Sequence, residues 1–168
     1  MMSSADNPAT PISIVSLADE EDARACARLM CSSEPWITLG RSYETSLAVV
    51  ADPTREVYLT RDRSGLAGFL VLCMTGAFVG YIQTVCVDPR CRGRGLGSTL
   101  LQFAEQRIRR TSPNIFMCVS SFNEGARRLY QRHGYEVVGE LTDYIVEGHS
   151  EILLRKTFGS ITSFVSER

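Results

Sequence analysis

The chain has 168 residues, 44% of them hydrophobic, and a formal net charge of −1. That is room for one globular domain with a sizeable core, and it argues against a general nucleic-acid surface, which needs a basic excess. No apolar run approaches the length of a membrane span, and the small, polar stretch 1–10 reads as a frayed tail without the apolar centre of a signal peptide, so the expected location is cytoplasmic.

In chain order, Ile12-Ser13-Ile14-Val15 alternates and predicts a first strand. Asp19 then caps a helix whose Ala23, Cys26, Ala27 and Met30 form an apolar stripe, and Ser32-Ser33-Glu34-Pro35 ends it. A second helical piece is expected from about Leu39 to Val50, stopped by Asp52-Pro53. Glu56 to Thr60 and Ala67 to Met74 read as two strands of a hairpin, joined by Arg61-Asp62-Arg63-Ser64-Gly65. Tyr81 to Val87, rich in β-branched and aromatic residues, adds a strand to what begins as an antiparallel meander.

That strand breaks at Val87-Asp88-Pro89 into Arg92-Gly93-Arg94-Gly95-Leu96-Gly97, and a helix from Ser98 to Arg110 follows. Glycine has no Cβ, so backbone N–H groups from Arg92 to Gly97 can converge on one anion, aided by the positive end of the helix dipole. The spacing matches neither G-x-G-x-x-G nor G-x-x-x-x-G-K-[ST], and a plain glycine-rich turn is the alternative. After Ser112-Pro113 comes a strand from Asn114 to Ser120 and a helix over 123–133. Asn123 suits the N-cap of that helix and Gly134 the position past its end, while Ala126, Leu129, Tyr130 and His133 share one face. Strands from Tyr135 to Leu141 and from Ser150 to Thr157 complete one mixed α/β domain without internal repeat or linker.

Two blocks together resemble the GNAT superfamily of acetyl-CoA-dependent N-acetyltransferases. Arg92 to Gly97 follows its [RQ]-x-x-G-x-[GA] pattern, and Asn123 to Tyr135 follows N-x-x-A-x-x-x-Y-x-x-x-G-[FY]. The likeness is strongest over Gly65 to Lys156, the cofactor half at about 65–156, and holds only in pattern over the first 60 residues. It implies a single N-acetyltransferase domain over 1–168: a mixed, mostly antiparallel sheet of about seven strands flanked by about four helices, with a splayed parallel strand pair that holds CoA. It further implies transfer of an acetyl group from acetyl-CoA to a primary amine, by direct attack in a ternary complex and without a metal. A catalytically silent CoA-binding sensor domain is the alternative.

Carried over by position, Val85 and Val87 would hold pantetheine through their main chain. Arg92, Gly93, Arg94, Gly95, Leu96 and Gly97 would hold the pyrophosphate. Asn123 would contact the cofactor, and Tyr130 would be the general acid for the departing thiolate, although a tyrosine on that helical face also reads as core. Trp36, Arg41, Tyr43, Tyr81 and Tyr144 are the acceptor-side candidates, with Trp36 also readable as core. The acceptor is a small-molecule amine or a peptide N-terminus; no nucleic acid or membrane partner is expected, and a homodimer is left open.

The six cysteines form no C-x-x-C and accompany no paired histidines, so no metal or disulfide framework is expected. Cys91 stands apart, since Arg90, Arg92 and Arg94 around it would lower its pKa, an inert loop thiol being the alternative. Relatives in the resembling family carry a glutamate where Tyr81 or Cys118 stands here, so no strong base is evident on the central strands. Asp143, Glu147 and His149 are the alternatives, each also readable as a turn or surface residue. Without a base, an α-amine is expected to be acetylated in preference to a lysine side chain.

Overall fold

The computed structural model describes residues 12–166, and the stretch 1–10 read as a tail lies outside them. Strand β1 (Ile14–Ser16) leads to helix α1 (Glu20–Cys31), whose N-cap Asp19 accepts the Asp22 N–H at 2.9 Å. Glu20, Glu21 and Asp22 sit at the positive end of the dipole, and the stripe of Ala23, Cys26, Ala27 and Met30 is buried. Helix α2 (Tyr43–Val50) starts later than the predicted Leu39, because Gly40 takes a φ of +66° and Ser42 becomes the cap, accepting the Thr45 N–H at 3.2 Å.

Strands β2 (Arg55–Asp62) and β3 (Gly65–Cys73) form the hairpin with a tighter turn than the five residues expected, since Arg61 pairs with Leu66 and Asp62 with Gly65. The Asp62 carboxylate accepts the Ser64 N–H at 2.7 Å and closes the turn. Then follow β4 (Tyr81–Val87), α3 (Leu96–Arg109), β5 (Asn114–Ser120), α4 (Glu124–Arg132), β6 (Glu136–Leu141) and β7 (Glu151–Thr157). Helix α3 begins at Leu96 rather than the predicted Ser98, because Gly95 rather than a side chain provides its entry.

The seven strands make one sheet in the order β1-β2-β3-β4-β5-β7-β6, antiparallel except for the β4/β5 pair. One face carries Ala23, Cys26 and Met30 of α1 and Val50 of α2 against Leu59, Phe69 and Val71. The other carries Leu100, Leu101, Ala104 and Ile108 of α3 and Tyr130 of α4 against Leu70, Ile115, Met117 and Leu154. Fully burying a leucine such as Leu100 contributes about 1.5–3 kcal/mol, so these two layers fix the sheet between the helices. Among the described residues, no helix is long and apolar enough to cross a membrane.

One irregularity positions everything that follows. The β3/β4 register steps from Val71↔Thr84 to Leu72↔Ile82, leaving Gln83 unpaired as a β-bulge. The extra residue resets the alternation: Ile82 and then Val85 and Val87 pack toward α3, while Cys86 joins the α1 side. A bulge also bends its strand, and the parallel pairing of β4 with β5 is confined to Tyr81↔Phe116 and Ile82↔Met117, immediately before it.

Candidate active site

Beyond Ile82 and Met117 the two parallel strands diverge, and a cleft of about 540 Å³ opens between them. Its walls include Thr84, Val85 and Val87 from β4 and Cys118 and Ser120 from β5. The facing edges of these strands have no strand partner past the bulge, so their inward backbone groups need another partner. Thr84 adds a hydroxyl that is buried and makes no hydrogen bond among the described residues. An unpaired buried polar group of this kind costs about 1–3 kcal/mol.

One end of the cleft is the loop entering α3. Arg92, Gly93, Gly95, Leu96 and Gly97 line it, whereas Arg94 is exposed and lies outside the lining. Gly95 holds a φ of +81° at the helix entrance, and no side chain caps the first turn, so α3 presents its positive end to the cleft. The loop is anchored from both sides. Asp88 accepts the Arg90 N–H at 2.8 Å and binds its guanidinium at 2.8 and 3.0 Å, and Arg92 Nε donates to the Val87 carbonyl at 3.1 Å. Gly97 serves a different purpose: a Cβ there would stand 3.3 Å from Leu129, so it lets α3 approach α4.

Of the two readings of Cys91, the inert thiol is the one that its surroundings fit. Its side chain is buried, and its thiol donates to the Asp62 carboxylate across 3.4 Å. Burial first, and then the hydrogen bond to Asp62 and its charge, push its pKa up, and Arg90, already paired with Asp88, offsets them only weakly. The arginine-rich surroundings therefore do not produce a lowered thiol.

Helix α4 supplies the opposite wall. Asn123 caps it by accepting the Ala126 N–H at 3.2 Å and also lines the cleft. Two turns on, Tyr130 lines the same cleft while its ring packs at an edge against Tyr135. Burial pushes its phenol up to about 12, so it carries its proton at neutral pH.

Of the acceptor-side candidates, Trp36, Arg41 and Tyr81 line the cleft. Trp36 is at the same time part of the α1-side core. The Arg41 backbone N–H donates to the Trp36 carbonyl at 2.9 Å, but its guanidinium has no hydrogen-bonded or ion-paired partner among the described residues, and burial pulls its pKa down. The Tyr81 phenol is raised by burial and then by the neighbouring Cys118. Tyr43, in the first turn of α2, and Tyr144, 62% exposed in the β6–β7 loop, are not among the lining residues; Ile145 of that loop is. Asp143 is occupied in the same loop, where its carboxylate accepts the Gly148 N–H at 2.7 Å, and His149 packs on Phe122.

The sheet also brings together two residues that are not among the candidates named from the sequence. Glu151 opens β7 directly opposite Ser120 of β5, and the Ser120 hydroxyl donates to its carboxylate at 2.6 Å. Glu151 is only 4% exposed, lines the cleft, and is raised by burial, an effect that the Ser120 hydrogen bond offsets. The available signal was a charged residue opening the otherwise apolar run Glu151-Ile152-Leu153-Leu154.

The Acetyltransferase (GNAT) family model matches residues 17–135. Mycothiol acetyltransferase of Mycobacterium sp. (strain JLS) is 34% identical over 92 residues, which are 51% of this chain and 31% of that protein, so the chain spans about a third of that relative. Blasticidin-S acetyltransferase of Streptomyces morookaense is 34% identical over 104 residues, 60% of this chain and 76% of that protein. N-alpha-acetyltransferase RimI of Mycobacterium tuberculosis is 28% identical over 161 residues, covering 89% and 94%. Among solved structures, an aminoglycoside 6'-N-acetyltransferase complexed with coenzyme A superposes with a TM-score of 0.69 at 16% identity, over 88% of this chain and 98% of that one, a likeness of fold.

Proposed function

The chain belongs to the acetyltransferase (GNAT) family, and on that premise we propose that it transfers an acetyl group from acetyl-CoA to a primary amine by direct attack in a ternary complex. The observation that carries this reading is the divergence of β4 from β5 at the Gln83 bulge, in one cleft with the uncapped start of α3 and with Tyr130. Unpaired strand edges and the orphan Thr84 hydroxyl suit a ligand rich in amides, and the helix entrance suits its phosphates. Coenzyme A has both parts, and its acetyl thioester supplies the group to be transferred.

In this reading Val85 and Val87 hold the amide-bearing arm by main chain, and the N–H groups of Arg92, Gly93, Gly95, Leu96 and Gly97 hold the pyrophosphate. Arg94 contributes charge from the solvent side. Asn123, by capping α4, sets the register that brings Tyr130 into the cleft. Tyr130 keeps a proton available for the leaving sulfur, the usual contribution of a general acid being about 10²–10⁴-fold.

A small-molecule amine is the acceptor class we favour over a peptide N-terminus. Tyr144, the acceptor-side candidate of the β6–β7 loop, is turned largely to solvent, and the apolar Ile145 beside it lines the cleft. Relatives are named for different acceptors, one as a blasticidin-S acetyltransferase and one as an N-alpha-acetyltransferase. The test is free-thiol release from acetyl-CoA with a panel of polyamines, amino acids, aminoglycosides and peptides. Amine-dependent release is expected; CoA binding without release from any member would favour the silent CoA-binding domain instead.

A further inference from the structure

The cleft has two carboxylates in its lining, and they differ in kind. Glu34 is exposed on the α1–α2 connection and accepts the Thr38 N–H at 3.2 Å. Glu151 is buried in the sheet, and among the described residues it forms no ion pair: the cleft-lining cations Arg41, Arg92 and Arg132 are not partners to it. A buried carboxylate with no counter-charge is unfavourable unless something cationic completes it.

Register shows what surrounds it. Tyr81 pairs with Phe116, and Cys118 and Ser120 follow at alternate positions with Glu151 across from Ser120. Tyr81, Cys118, Ser120 and Glu151 therefore share one sheet face, and all four line the cleft. The residues between them, Met117, Val119 and Ile152, point into the α3/α4 core, the side from which Tyr130 reaches the cleft. From β5, Glu151 meets the Ser120 hydroxyl and, through its charge, the Cys118 thiol, whose other neighbour is the Tyr81 phenol of β4; β6 offers only Leu141 opposite it, and the β6–β7 loop brings Ile145 to the cleft. Ser120 occupies one carboxylate oxygen, and none of the other groups is a cation.

Resting on the acetyltransferase reading above, we propose that Glu151 receives the acceptor, binding the incoming amine as an ammonium and taking its proton before attack. An ammonium is the counter-charge that the site lacks, and burial makes this carboxylate a better proton acceptor than one in water. The protons balance as follows. R–NH3+ gives one proton to Glu151 and becomes R–NH2, whose lone pair forms the N–C bond to the acetyl carbon as the C–S bond breaks. The leaving sulfur takes its proton from Tyr130, the second amine proton restores Tyr130 through solvent, and Glu151 returns its own to solvent. One proton is released per turnover.

The deciding variant is Glu151→Gln, which keeps the shape and the acceptor for Ser120 but removes the charge. With protein saturated by CoA, which cannot react, calorimetry with the fastest-turnover amine of the panel (a polyamine, amino acid, aminoglycoside or peptide) should show affinity reduced at least about tenfold. The acidic limb of the kcat/KM profile should move from the carboxylate range up to the amine's own ionisation, with the rate at neutral pH lower by roughly 10². Ser120→Ala, which removes the hydrogen bond favouring the charged form, should move that limb to higher pH. Wild-type amine affinity together with an unchanged limb in Glu151→Gln would overturn the proposal. If that variant does not fold, an unmoved limb in Ser120→Ala overturns it. Thiol release by the wild type separates the two levels: an inactive wild type sinks acetyl transfer itself, whereas an active wild type with an indifferent variant sinks only the role of Glu151.

Discussion

Arg92 reaches back along the loop to donate its Nε–H to the Val87 carbonyl at 3.1 Å, tying the entrance of α3 to the last residue of the strand that opens the cleft. The side chain is exposed, so its worth to global stability is small, but it fixes one wall of the cleft relative to the other. Arg92→Met should leave the melting temperature nearly unchanged and raise the acetyl-CoA dissociation constant by about tenfold, roughly 1.4 kcal/mol. Equal affinities by calorimetry would show that the loop is held without it.

The two glycines at this entrance should fail differently. A Cβ at Gly95 would meet nothing within 4 Å, so its substitution is opposed by the φ of +81° and not by contact. Gly95→Ala should strain only the loop, by about 1–2 kcal/mol, and weaken CoA binding at modest thermal cost. Gly97→Val, with Leu129 at 3.3 Å from its Cβ, should separate α3 from α4 and lower both affinity and melting temperature. Thermal melts and calorimetry on the pair decide the point; identical behaviour would refute the distinction.

Much of this was legible because it is local. The Asn123 cap, the shared face of Ala126, Leu129 and Tyr130, and the glycine loop before Leu96 depend on residues a few positions apart, and the periodicity and capping rules apply to them. What escaped depends on pairing across the sheet. The bulge at Gln83 is a mismatch between two strands, and nothing in Tyr81 to Val87 alone marks which residue is skipped. Glu151 meets Ser120 only through the β5/β7 register, so the two appear unrelated along the chain. Cys91 is open to two readings in the sequence for the same reason, its neighbours along the chain being arginines and its neighbour in space Asp62. With Glu151 in the cleft, the preference for α-amines over lysine, which assumed that no base was present, no longer follows.

Cys91 should behave as an inert thiol. Since burial and Asp62 raise its pKa, its thiolate fraction at pH 7.5 is smaller than that of an ordinary cysteine, and alkylation requires opening of the loop as well. Peptide-mapped labelling with iodoacetamide should find Cys91 slower than the less buried Cys31 by tenfold or more. Asp62→Asn removes the raising charge and should accelerate Cys91, with its rate–pH curve displaced to lower pH. Faster labelling of Cys91 than of Cys31 in the native protein would restore the reactive-thiol reading.

Thr84 should give effects of opposite sign on stability and on binding. Its hydroxyl has no partner among the described residues, so Thr84→Val removes an unsatisfied group with almost no change of shape. The free protein should gain about 1 kcal/mol, a rise of about 2–4 °C in melting temperature for a chain of this length. If the ligand's amides supply the missing partner, the same change should weaken CoA by about threefold to tenfold. A variant that is both less stable and unchanged in affinity would mean that the hydroxyl is satisfied internally.

Tyr130 carries the heaviest chemical assignment and also fills core, packed among α3 and α4 residues and set at an edge to Tyr135 with ring centres 6.1 Å apart. Packing and proton donation can be separated because Tyr130→Phe removes one oxygen and retains the ring. With the phenol pushed up to about 12 by burial, the wild-type donor stays protonated through the working range, and any alkaline limb it imposes on kcat should lie well above the ordinary tyrosine value near 10. The variant should lose roughly 10² or more in kcat, with CoA affinity changed by less than about threefold and thermal stability nearly unaltered. Such a pattern, loss of turnover without loss of binding or fold, is what a proton donor to the leaving sulfur requires. If Tyr130→Phe turns over at the wild-type rate while chemistry limits, Tyr130 is a core residue and the proton comes from solvent. Stability supplies an independent check. The unfolded phenol ionises near 10 while the folded one holds its proton to about 12, so burial of Tyr130 must make the wild type lose stability as pH rises through that window. In Tyr130→Phe that share of the alkaline loss should be absent, and an identical loss in both proteins would place the phenol in contact with water.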